Sequence, residues 1–134
     1  TRVLYIPQEP DVLQKEKTLK KMRELPSVQR GQVLSIVAQL NSDPDCILEG
    51  DTVSPGEMRK LMLALGILES PELLVMDEPT NYLDLGSTEA FERLLSVYPG
   101  ALLLVSHDAS LVSSATSITW RIRKSEDGYE LTVG

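Results

Sequence analysis

Asp77 and Glu78 stand side by side directly after the apolar run Leu73, Leu74, Val75 and Met76, with Pro79 and Asn81 close behind. Two adjacent carboxylates at the end of an apolar run suit metal-assisted hydrolysis, in which one acid holds a hydrated cation and the other activates water. Mg²⁺ takes carboxylate, water and phosphate oxygens, so Asp77 is a candidate ligand. Glu78 is then a candidate general base, assistance of a kind worth about 10²- to 10⁴-fold in rate. Mg²⁺ and positive donors would have to stabilise the charge on a transferring phosphoryl group. Each feature also has a plainer reading. An acidic pair can be a solvated strand end, His107 a surface histidine, and "SPGE" at 54–57 an ordinary helix cap.

Three elements must carry these groups to one place. "RVLYI" at 2–6 reads as a short strand ended by Pro7, which leaves Gln8 at its C-terminal edge. "ELLVM" at 72–76 is a continuous apolar run of strand length, as expected for a parallel strand buried on both faces. "ALLLVSH" at 101–107 reads as another buried strand, ending at His107 and Asp108. Ligands of open parallel α/β sheets bind outside the carboxyl ends of the strands, so Gln8, Asp77, Glu78 and His107 converge on one rim.

The connecting segments are helical in rhythm. From Asp11 to Leu48 the chain reads as a small helical excursion, with an apolar stripe of Val33, Leu34, Ile36, Val37 and Leu40 before the turn "NSDPD". A further helix starts with Ser54 as N-cap, Pro55 at the first helical position and Glu57 completing a capping box. Its stripe of Leu61, Leu65 and Leu68 runs on to Ser70, where Pro71 stops it. A helix N-terminus with free amides and a neighbouring glycine is also an anion site, so a cap and a phosphate grip are physically compatible. "STEAFERLLSVYPG" gives another helix, apolar at Phe91, Leu94, Leu95 and Tyr98. The last stretch alternates around Asp127 and Gly128 as a β-hairpin, with Trp120 and Tyr129 read as hairpin packing. Strand and helix in alternation predict an α/β parallel sheet.

Taken in order, Gln8, "VSPGE" at 53–57, "LLVMDEP" at 73–79, "NYLD" at 81–84 and "VSHD" at 105–108 resemble the ABC-type ATPase nucleotide-binding domain, over nearly the whole chain. The resemblance implies a P-loop NTPase-like sheet, ATP and Mg²⁺ as ligands, and a second ABC domain as partner. By position, Gln8 resembles the glutamine that senses Mg²⁺ and the γ-phosphate. Ser54, Gly56 and Glu57 lie in the signature motif, which in this family grips ATP bound to the opposite domain. Asp77 and Glu78 resemble the Walker B metal carboxylate and base, Asp84 the D-loop aspartate and His107 the switch histidine. "DEPTNYLD", "YIPQEP" and "YPGALLLVSHD" are similar to the ABC-F subgroup, whose members act on ribosomes and in some cases confer antibiotic resistance. Two alternatives stand beside this: the ATP-binding subunit of a membrane transporter, with a membrane partner, and a non-hydrolysing regulatory module. Pro55 and Tyr82 depart from the family pattern, where glycine and histidine are usual.

No G-x-x-x-x-G-K-[ST] loop occurs in the 134 residues. The resemblance places the strand leading into that loop between the strand ending at His107 and the one around "ITWRI". Its absence predicts a gap with two exposed strand edges, which invite self-association, and negligible turnover by this chain alone. The expected layout is a partial ATP-binding domain: strand and glutamine loop over 1–10, a helical subdomain with the signature motif over 11–70, and the Walker B, D-loop, histidine and hairpin segment over 71–134.

Composition sets outer limits. A formal charge of −7 argues against a broad electrostatic footprint for nucleic acid. The apolar runs are far short of a membrane span, and no signal peptide opens the chain, pointing to a cytoplasmic protein, membrane-peripheral if it serves a transporter. The single Cys46 excludes an intrachain disulfide and reads as a structural thiol. The opening at Thr1, without methionine, leads to the expectation of a longer parent chain.

Overall fold

Three runs rich in β-branched and leucine side chains pair as parallel strands in the computed structural model, which describes residues 1–48 and 53–134. They are β1 (Val3–Ile6), β2 (Leu73–Asp77) and β3 (Ala101–Val105), in the order β1-β2-β3. The register sets Ile6 against Met76 and Asp77 against Val105, so all three C-terminal ends open on the same side. The polar excursion divides into α1 (Val12–Glu24), α2 (Ser27–Gln39) and α3 (Pro44–Leu48). Pro26 and Pro44 make the breaks, because proline disfavours helical geometry in the residue before it; Leu25 is accordingly extended. Asp11 caps α1 in a full capping box with Gln14. Residues 49–52, just ahead of the "VSPGE" segment, lie outside the described residues.

Helix α4 (Pro55–Ile67) is the wall between two hydrophobic clusters. Its Leu63 packs with Ile6, Leu74, Met76, Phe91, Leu95 and Leu111 beneath the sheet. Met58, Leu61, Ala64 and Leu65 pack instead with Met22, Val33, Val37 and Ile47 of the helical excursion. The helix is therefore buried nearly all round, where the sequence pattern predicted a single stripe. It also ends at Ile67 rather than Ser70, and Ser70 takes a left-handed φ of 48° in the turn into β2.

Gly66 lets α4 approach β1. A Cβ there would lie 2.2 Å from Leu4 Cδ2 and 2.9 Å from Leu4 Cγ. Exchanging glycine for alanine inside a helix ordinarily gains up to about 1 kcal/mol, whereas overpacking a core costs about 1–3 kcal/mol. Gly66→Ala is therefore expected to lower stability, seen as a lower midpoint in urea denaturation; a raised midpoint would show that Leu4 moves aside freely.

After β2 come α5 (Leu85–Ser96), then β3 and the short α6 (Ala109–Ala115), which the sequence pattern did not predict. "ASLVSSA" carries no apolar stripe, and its one clear signal is the N-cap Asp108, whose carboxylate accepts from the Leu111 amide (3.1 Å). Strands β4 (Trp120–Ser125) and β5 (Gly128–Val133) form the terminal hairpin as a separate antiparallel sheet. Gly128, at φ 134°, makes its turn. Trp120 and Tyr129 are mostly exposed on this ribbon, contrary to a packing role, because a two-stranded hairpin has no second layer against which to bury them.

The parallel sheet is covered on one face only among the described residues. Leu74 and Met76 are fully buried, while Val3, Tyr5, Leu103 and Val105, on the opposite face, are each about half exposed or slightly more. Burial of β2 on both faces, expected from its continuous apolar run, is thus met on one side. Among the described residues no helix is long and apolar enough to cross a membrane.

Candidate functional site

The backbone leaves β2 through an uncommon conformation. The Glu78 amide donates to Val105 O (2.7 Å), extending the ladder to β3 by one bond. Glu78 then takes φ 46°, a left-handed value costly for a residue with a Cβ. Pro79 follows at the first corner of a turn closed by the Asn81 amide on Glu78 O (3.2 Å). A second turn, Leu83 amide to Thr80 O (3.2 Å), carries Tyr82 at φ 64°. Such positions persist when the surroundings over-determine them, and they gather at functional sites.

This turn aims the Glu78 side chain along the sheet rim toward His107. The His107 Nε2 lies 3.3 Å from Glu78 Oε1, and the His107 amide donates to Glu78 Oε2 (3.4 Å). The Glu78 side chain is 11% exposed and that of His107 98% exposed, so a sheltered carboxylate meets an imidazole open to solvent. Asp77, the last residue of β2, is half-buried beside it. Gln8 is half-buried two residues beyond the end of β1, at the same rim.

The donor set fits Mg²⁺. Among the described residues no group of three or more His, Cys, Asp or Glu side chains could hold a metal by itself. Magnesium does not require one: it is held through one or two carboxylates and keeps waters and substrate phosphate oxygens as its remaining ligands. Asp77 and the amide oxygen of Gln8 would supply the protein's share, and the ion would neutralise phosphate charge.

Ser54, Gly56, Glu57 and Asp84 form a second group. Ser54 is exposed at the N-terminus of α4, where its Oγ accepts from the Glu57 amide (3.1 Å), the forward half of the expected capping box. Gly56 is buried against the segment after β2, since a Cβ there would lie 2.9 Å from Leu83 Cδ2 and 3.7 Å from Tyr82 O. Asp84 caps α5, accepting from the Ser87 amide (2.7 Å). The Ser87 amide and hydroxyl hold its carboxyl below the usual carboxylate range, with Lys60 adding to the effect.

Two neighbours of this group escaped the sequence pattern. Arg59 and Lys60 lie off the α4 leucine stripe, yet both are buried. Arg59 donates to Glu78 O (2.8 Å) and to Asn81 O. Lys60 Nζ donates to Ser87 Oγ (2.7 Å) and Ser42 Oγ (2.8 Å). Burial lowers both pKa values; Tyr82 and Glu9 oppose this at Arg59, and Asp84 and Glu57 at Lys60. Tyr82, the departure from the usual histidine, donates its hydroxyl to Glu9 (3.2 Å) and so ties the loop after β1 to this segment.

The model of the ABC transporter family matches residues 1–81. The chain belongs to this family. The zinc import ATP-binding protein ZnuC of Pseudomonas entomophila (strain L48) is 36% identical over 121 residues, covering 86% of this chain and 47% of that protein. Elongation factor 3A of Saccharomyces cerevisiae is 31% identical over 96 residues, covering 70% of this chain and 9% of that protein. A solved ATP-binding subunit of an ABC transporter superposes with a TM-score of 0.61 at 21% identity, over 87% of this chain and 53% of that one. That likeness shows the fold: an α/β ABC domain with a parallel sheet, helices and a terminal hairpin. The chain spans about half the length of ZnuC, the first of these ABC relatives. The family as a whole consists of ATPases and pairs one ABC domain with another; the relatives include both transport and translation proteins.

Proposed function

We propose that this chain supplies the Walker B, signature, D-loop and histidine elements of an ATP-hydrolysing ABC domain, and that the protein containing it acts on the ribosome as an ABC-F ATPase. The observation that carries the reading is the sheltered Glu78 carboxylate facing His107 at the rim that also bears Asp77 and Gln8. In this reading Asp77 and Gln8 hold Mg²⁺. Glu78 orients a water and takes its proton as the oxygen attacks the γ-phosphorus and the bond to the β–γ bridging oxygen breaks, releasing ADP, and His107 holds the Glu78 carboxylate in place. Ser54, Gly56 and Glu57 grip the nucleotide of an opposing ABC domain, and Asp84 orders the segment between them. The phosphate loop missing from these residues comes from elsewhere in the protein, whose place of work is the cytoplasm. ATP binding by the 134-residue chain alone is accordingly expected to be negligible in equilibrium dialysis, and micromolar binding would overturn the division of labour.

"DEPTNYLD" and the likeness to an elongation factor support the ribosomal partner. The likeness to ZnuC over 86% of the chain favours a second reading, a transporter subunit docked on a membrane partner. Co-sedimentation of the full-length protein with Glu78→Gln and ATP separates the two. Pelleting with ribosomes is the expected result; pelleting with membranes alone would replace the ribosomal reading with the transporter.

A further inference from the structure

We infer that Arg59 is a positioning residue, a buried clamp that ties the start of the signature helix to the backbone presenting Glu78. The inference rests on the reading of Glu78 as the general base.

Arg59 is completely buried, a rare setting for a guanidinium, which stays charged in proteins and must find acceptors. The acceptors it finds are backbone carbonyls. Nη1 donates to Glu78 O at 2.8 Å and Nη2 to Asn81 O, the two ends of the turn that follows β2. Glu78 O therefore receives two donors, the Arg59 guanidinium and the Asn81 amide. The fork geometry of arginine allows one side chain to span both carbonyls, which a lysine ammonium cannot do in the same planar fashion. The residue so held is the one at φ 46°, whose left-handed backbone requires outside support.

The clamp belongs to a wider contact. Gly56 packs on Leu83, and Lys60 holds Ser87. Three residues near the start of α4 thus grip the segment from Glu78 to Ser87. A displacement of the Ser54 end of α4, such as a phosphate bound there would cause, would reach the Glu78 backbone through hydrogen bonds spanning 19 and 22 residues of sequence. The chain in this way has a direct physical link between the group that grips nucleotide and the group that activates water.

The test uses the full-length ATP-hydrolysing protein with Arg59→Met, which keeps an unbranched apolar stem and removes the donors, and Arg59→Lys, which keeps charge but not the fork. Both are expected to lower kcat, the methionine variant by roughly 10- to 100-fold as for a misplaced reacting group, while KM for ATP stays within about twofold. Amide hydrogen exchange should rise at Asn81 and Leu83 while staying unchanged at Val75 in β2. Combining Arg59→Met with Glu78→Gln should add little further loss of rate, because both act through one carboxylate. If Arg59→Met does not fold, Arg59→Lys carries the same comparison. If Glu78→Gln leaves turnover intact, the base reading fails, and local exchange at Asn81 and Leu83 still decides whether the clamp exists. A normal kcat per folded molecule, or exchange that rises uniformly through the core, would overturn the inference in favour of a purely structural arginine.

Discussion

Glu78→Gln in the full-length protein is expected to reduce ATP turnover by about 10²- to 10⁴-fold while nucleotide binding persists. The amide has nearly the same shape as the carboxylate. It can still accept from the His107 amide, now at 3.4 Å from Glu78 Oε2, and it leaves the φ 46° turn undisturbed. What it cannot do is take a proton from water. The environment sharpens this difference, since the Glu78 side chain is only 11% exposed and bulk water has little access to serve as an alternative base. Steady-state phosphate release alongside equilibrium nucleotide binding reads the two effects separately. Turnover within twofold of the unsubstituted protein would show that the base lies elsewhere and that Glu78 serves only to orient His107. Weakened binding with unchanged turnover per bound nucleotide would assign Glu78 to substrate capture.

Phe91→Ala should cost about 3–5 kcal/mol of folding stability. Phe91 is fully buried where α5 meets the covered face of the sheet, in one cluster with Ile6, Leu74, Met76 and Leu95. Removing the ring opens a cavity that these neighbours cannot close without shifting the strands. Small domains hold only about 5–15 kcal/mol in total, so the loss is a large fraction of what is available. Here the reserve is further reduced, because one face of the sheet contributes little burial: Tyr5 and Val105 remain about half exposed. Chemical denaturation followed by circular dichroism measures the shift. A change under 1 kcal/mol would mean that α5 is not anchored through Phe91. Because Asp84 caps α5 and its first turn holds Ser87, loosening it is also expected to disorder the segment that Lys60 and Arg59 grip.

The three parallel strands were legible because each is a short apolar run closed by a proline or polar residues, a signal contained within a few residues, although the third stops at Val105, short of the expected His107. The helix starts at Ser54 and the hairpin turn at Asp127 and Gly128 were legible for the same reason: caps and turns are chosen by local hydrogen bonding and backbone freedom. Once strands and helices alternate, parallel pairing follows, and with it the gathering of Gln8, Asp77, Glu78 and His107 at one rim. The break ahead of Pro44 was legible as the turn "NSDPD", whereas the division at Pro26, although also written locally, was missed.

Local signals therefore account for the three parallel strands, the terminal hairpin and every helix but α6, and for the common direction of the strands. How the residues at the strand ends are held depends on contacts made after the elements pack. Nothing local marks Arg59 and Lys60 as buried, since they sit off the leucine stripe and become enclosed only when the segment from Glu78 to Ser87 folds over them. Nothing local marks the left-handed backbone of Glu78 either, which arises because its amide must complete the ladder to β3 while its carbonyl turns toward Arg59. Both depend on contacts between residues far apart in the chain. The energy of such contacts appears only when the elements are assembled, because burial makes a charged group demand partners that no neighbour in sequence can provide.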